Sequence, residues 1–234
     1  MGLDVYVGSL TGWYAAGPPA AVERLAWHQR VPYMVIRGSE HASGHTERDV
    51  IRSAVLAWRD ALRQALGDRV EAPLDWDESP EAPSFTGRPG WDGYGATVLL
   101  AAYEEHPELE APATVAPEWP DDVAYQTSVA AGACSRYDHL LVPDLWLPCP
   151  FRFTFRTQDA AGHTVDVGSS TTLLAQLRTL GARTGLATPD TGGEVPRPAG
   201  PKPPLRATAR HGLAALLRLA GRSVEHRVPM RLDH

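Results

Sequence analysis

Hydrophobic positions recur along this chain in two periods, and the changes between them mark out its elements. Leu3 to Val7 alternates apolar and polar residues until Gly8 interrupts it, the period of a half-buried strand. After Gly-Pro-Pro, whose prolines suit a first helical turn, AAVERLAWHQR predicts a short helix and VPYMVIR a second strand. Strand, helix, strand is a βαβ-like opening, which places the two strands parallel if they pair directly. Thr46 and Asp49 then make a capping-box-like start, and Ile51, Val55, Trp58 and Leu62 follow at helical spacing until Gly67.

The middle of the chain is broken by proline. Pro73, Pro80, Pro83 and Pro89 forbid a regular element through DWDESPEAPSFTGRP, which reads as a loop pinned by its aromatics. From Trp91 the pattern Trp91, Tyr94, Val98, Ala101, Ala102 is helical, and Asp92 reads as its N-terminal cap. A second Pro-rich loop, APATVAPEWPDD, leads to a short helix over 123–130. FRFTFRT, with Phe151, Phe153 and Phe155 on one face, the turn DAAGH and HTVDV predict a hairpin. GSSTTLLAQLRTLG predicts a helix capped by Ser169 or Ser170, with Leu173, Leu174, Leu177 and Leu180 buried. Residues 188–204 hold six prolines and three glycines and read as a flexible tract, after which ATARHGLAALLRLAG is an amphipathic helix. No repeat of solenoid period is present.

Composition narrows the class. The 234 residues, 43% hydrophobic and 21% charged, suit one globular domain, and a net charge of −6 gives no sign of a nucleic-acid binder. Charge is uneven: residues 1–201 carry 15 Arg and 26 Asp or Glu, whereas 202–234 carry seven Lys or Arg against Glu225 and Asp233. The basic C-terminal helix has an apolar stripe, so it is expected to pack on the acidic body. The N-terminus lacks the basic and apolar regions of a signal peptide, and no run approaches a membrane span, so a cytoplasmic protein is expected. In that setting Cys134 and Cys149 stay reduced.

Candidate chemistry gathers first between residues 75 and 94. Asp75, Asp77, Glu78, Glu81 and Asp92 are five carboxylates near Trp76, Phe85, Trp91 and Tyr94. Paired acids do general acid–base work or hold a divalent metal, and Trp76, Trp91 and Tyr94 offer faces for a ring to stack on. Arg88 pairs with one of the acids or holds a substrate anion. The plainer reading is an acidic loop anchored by its aromatics. His41 and His45 stand four apart, but Gly44 and Thr46 place them before the helix and no HExxH is present. Cys134, His139, Cys149 and His163 form a C-x4-H-x9-C-x13-H series without the tight knuckle of a zinc site. Cys134 with His139 is a thiolate pair only if the fold joins them, and no GxSxG elbow exists. VDVGSSTTLL offers a helix start to an anion but lacks a Walker lysine, so ordinary capping is the simpler account. No cofactor motif is present, and none is expected.

MGLDVYVGSLT at the start, LDWDESPEAPSFTGRPGWDGYGA with AAYEEHPEL, the GSSTTLLAQL turn and SVEHRVPMRLDH at the end resemble a group of uncharacterised bacterial proteins that begin MGLDVY and end in a PM-x-LD motif. The resemblance spans most of the chain outside the Pro-rich tract and brings no activity with it. It implies that the basic C-terminal helix belongs to the same folded unit.

These readings predict one mixed α/β (α+β) domain: a body over 1–187, the tract at 188–204 and a packed basic helix over 205–234, with a small mixed sheet and about five helices. For function they favour a protein-binding or accessory protein of the immunity or regulatory type, with a protein or small-molecule partner and neither nucleic acid nor membrane. The alternative is a hydrolase or metal-dependent enzyme acting on a small substrate at the 75–94 loop, helped by His139 or His226.

Overall fold

The computed structural model describes residues 3–16, 43–186, 195–200 and 202–233. Six strands form one mixed sheet: β1 (Asp4–Val7), β2 (Phe85–Gly87), β3 (Leu145–Leu147), β4 (Phe155–Gln158), β5 (Thr164–Ser169) and β6 (Met230–Asp233). Their order is β2-β1-β6-β3-β5-β4, and every neighbouring pair is antiparallel except β3 with β5. Among the described residues there are seven α-helices rather than about five: α1 (Leu10–Ala16), α2 (Ser43–Leu66), α3 (Gly90–Glu105), α4 (Val123–Ala131), α5 (Asp138–Leu141), α6 (Ser170–Thr184) and α7 (Leu205–His226). α1 and α5 span two turns or fewer, too little for a periodic signal.

Strand alternation sorts the core into two layers. Val5, Val7, Trp146, Met230 and Leu232 face the layer of α3, α6 and α7. Leu145, Leu147, Val165 and Val167 face α1, α2 and the buried Leu74 and Trp76. Arg231 of β6 also falls on this second face, where Asp159 and the Tyr14 hydroxyl lie 3.0 and 3.1 Å from its Nη1. Burial pushes the Asp159 carboxyl up, but hydrogen bonds from Tyr14 and Arg231 outweigh it and hold the group below the usual aspartate range. The ion pair thereby ties α1 to the sheet and to the β4–β5 turn.

Several elements depart from the sequence reading. The helix expected at 20–30 and the strand at 31–37 lie outside the described residues, and β1 has both of its edges taken, by β2 and β6. α2 begins at Ser43, ahead of Thr46, because its long apolar stripe carries a glycine and a threonine in the first turn at modest cost. Within the Pro-rich loop, Phe85–Gly87 forms β2, an edge strand that needs a partner on one side only. β4 starts at Phe155, yet Phe151, Phe153 and Phe155 do cluster, with ring centroids 5.5 to 6.0 Å apart. α6 has the expected cap, the Ser169 hydroxyl accepting from Thr172 N at 3.2 Å. α7 lies against α3 and α6, and its chain runs on into β6 near the middle of the sheet. Of the Pro-rich tract, the described part is tied to the body: Pro204 forms an isolated antiparallel bridge with Thr114, and Arg197 reaches Asp92 of α3.

Candidate functional site

The acids between residues 75 and 94 do not meet. Asp75 is shared by three guanidiniums, with Arg59 and Arg227 each at 3.2 Å and Arg63 at 3.5 Å, which fastens α2, this loop and the end of α7 together. Asp77 Oδ1 accepts the Ser79 N–H at 2.8 Å, a local turn bond. Glu78 is buried and accepts from Leu10 N, Thr11 N and the Trp76 indole. Arg88 grips Asp4 through two hydrogen bonds of 2.8 and 3.0 Å, and holds that carboxyl below the usual aspartate range. Asp92 makes no cap: Pro89 stands at the N-cap position, and Asp92 pairs with Arg197 at 2.6 Å. Trp76 and Tyr94 are core residues, while Trp91 is 39% exposed.

The histidines and cysteines are equally dispersed. His41 lies outside the described residues, and His45 falls in the first turn of α2. Cys134 is exposed and Cys149 buried, both free. His139 is fully buried; its Nδ1 accepts the Ser169 N–H at 2.8 Å, and burial lowers its pKa despite the nearby Asp138. His163 faces Asp159 at 3.6 Å, and His226 stacks near Phe85. Among the described residues no three His, Cys, Asp or Glu side chains group to hold a metal ion. The start of α6 is internally occupied, with Ser169 and Ser170 fully buried.

Open space occurs instead where α3 and α7 meet residues 195–197 and 202–203. The helices approach closely here: a Cβ on Gly212 would sit 2.0 Å from the Gly93 carbonyl oxygen. On one side lies an aromatic cleft of about 560 Å³, lined by Trp91, Trp119 and prolines 117, 120 and 203, with Asp92 and Lys202 as its charged lining residues. Trp119 is fixed in place. It packs flat over Gly95, where a Cβ would come within 2.5 Å of its Nε1, and meets Tyr94 and Tyr125 edge-on at 6.1 and 5.2 Å.

On the other side lies a cleft of about 450 Å³ between β2 and α7, lined by Arg88, Arg197, Arg218, His211 and Asp4 among others. The Asp92–Arg197 pair stands between the two, Asp92 lining the aromatic cleft and Arg197 the cationic one. Of these groups the sequence reading singled out Trp91, Arg88 and Asp92. It passed over Trp119, Arg197, His211 and Arg218; the available signals were a Pro-flanked tryptophan in EWPDD and arginines on a helix otherwise rich in Leu and Ala.

No helix among the described residues is long and apolar enough to cross a membrane. No family model, curated protein or solved structure matches this chain.

Proposed function

We propose that this is an accessory protein that works by binding a partner polypeptide, and that the aromatic cleft between Trp91 and Trp119 receives an extended, proline-bearing segment of that partner. The observation that carries the reading is the exposure of Trp91 at a cleft whose other wall is a locked tryptophan and three prolines. Rigid aromatic and proline walls lose little entropy on binding, tryptophan dominates binding energetics, and grooves of this composition suit polyproline-type segments. Asp92 and Lys202 in the lining supply opposite charges that orient the segment. Less supports an enzyme built on the 75–94 loop, because Asp75, Asp77, Glu78 and Asp92 are engaged by separate partners and, of the four, Asp92 alone lines either cleft.

A photo-crosslinking amino acid placed at position 91 tests this in the producing cells, with the same group at exposed Ala57 of α2 as the control. A discrete protein adduct from position 91 and none from position 57 is expected. Equal labelling from both, or none from position 91, rules the cleft out as the binding site.

A further inference from the structure

We propose that the cationic cleft between β2, α7 and residues 195–197 is a binding site for a doubly charged oxyanion, a phosphoryl group. Three arginines line it, Arg88, Arg197 and Arg218, against Asp4 as the single acid among the described lining residues. Among the described residues that leaves two positive charges uncompensated in the lining, and one if Asp92, which holds Arg197 from the neighbouring cleft, is counted. The chain as a whole carries −6, so this local excess runs against its average.

Three observations point to a ligand here. Arg218 is half-buried on α7 and makes no hydrogen bond or ion pair with any described residue, so among those residues no carboxylate offsets its charge. Arg88 and Arg197 are pre-positioned, because each is anchored by a carboxylate and keeps further N–H donors unused. His211 Nδ1 stands 2.7 Å from the Val195 carbonyl oxygen; a carbonyl only accepts, so Nδ1 carries the proton. That bond fixes the ring and straps residues 195–197, with Arg197, against α7.

Guanidinium forks present paired donors that match the oxygen pairs of a phosphoryl group and discriminate against chloride. The cleft volume exceeds one phosphate, so there is room for the body that carries it, beside the apolar Val195, Pro196 and Ala215. The site stands on the arginines alone and does not depend on what fills the aromatic cleft.

The test is isothermal titration calorimetry with inorganic phosphate and with N-acetylphosphoserine amide, at constant ionic strength in sodium chloride. The wild-type chain, Arg218→Ala and Arg88→Ala are compared. Saturable one-to-one binding of phosphate is expected, weakened at least tenfold by Arg218→Ala and severalfold by Arg88→Ala, as the loss of a charge-assisted contact implies. Tighter binding of the phosphoserine derivative assigns the site to a phosphorylated polypeptide; equal or weaker binding assigns it to a free phosphate-bearing small molecule. Arg88 is 79% exposed, so its variant keeps the test sound should Arg218→Ala fold poorly. Absence of saturable heat, or binding unchanged in both variants, overturns the proposal.

Discussion

Glu78 Oε2 accepts the backbone N–H of Thr11 at 2.8 Å across 67 residues of chain, while its Oε1 takes Leu10 N at 2.9 Å and the Trp76 indole at 2.6 Å. One carboxylate thus satisfies the first turn of α1 and pins the 75–94 loop to it. A charged acceptor is required, since three donors converge on its two oxygens. Glu78→Gln keeps the shape but turns an NH2 toward an N–H donor whichever way the amide is set. The variant is expected to lose about 2–4 kcal/mol of stability. Urea unfolding reads this as a lower midpoint at unchanged slope; a loss under about 0.5 kcal/mol would mean that the carboxylate is not the tie.

Glu78 also shows where sequence reading stops. Its acidity and its aromatic neighbours were visible, but the partners that consume it lie in another element. The same is true of Asp92, whose place near a helix start suggested a cap and whose partner is Arg197, 105 residues on. Elements with a local cause were legible: α2 from Ile51, Val55, Trp58 and Leu62, and α6 from its Ser169 cap and leucine stripe. β2, β3 and β6, of three or four residues, were not, because nothing in FTG, LWL or MRLD selects a strand until neighbours supply the hydrogen bonds. The clefts were hidden for a like reason: Arg88, Arg197 and Arg218 come from three distant segments, and only the packing of α7 brings them together.

That packing depends on one missing side chain. A Cβ on Gly212 would lie 2.0 Å from Gly93 O and 2.5 Å from Thr97 Oγ1, whereas one on Gly221, in the same helix, would meet nothing within 4 Å. The same substitution should therefore have opposite signs two and a half turns apart. Gly212→Ala is expected to destabilise by about 3 kcal/mol or more through backbone overlap. Gly221→Ala should gain about 0.5–1 kcal/mol by restricting the unfolded chain. Thermal unfolding of both variants decides it; a rise in Tm for Gly212→Ala would contradict the close approach of α3 and α7.

The two cysteines give a chemical check on the fold. Cys134 is exposed, while Cys149 is 2% exposed, its thiol pKa pushed up by burial and its Sγ 3.4 Å from the Asp75 carbonyl oxygen. Thiolate is the reactive form, so burial and a raised pKa both protect Cys149. A disulfide-exchange reagent should titrate one thiol in the native protein and the second only in denaturant. Two fast thiols in the native state would contradict the packing of Cys149 between α2 and the sheet.

His139 sets an acid limit on stability. Burial is the largest influence on its ring and lowers its pKa, outweighing the attraction of Asp138, whose Oδ2 lies 4.0 Å from Nε2. Nδ1 accepts the Ser169 N–H, so the folded state holds the ring neutral, with its one proton on Nε2. The unfolded ring takes up a second proton below its ordinary pKa of about 6.5. As pH falls through that value toward the lower folded pKa, the unfolded state binds more protons and stability declines, by at most about 1.4 kcal/mol per pH unit for one group. His139→Asn places an amide oxygen where Nδ1 accepts, and removes the titration. Its absolute stability should fall because a buried ring is lost, but its unfolding free energy should vary less between about pH 7 and 5.5 than that of the wild type. Denaturant midpoints across that range measure the difference, and parallel profiles for the two proteins would show that the ring is not held neutral by its burial.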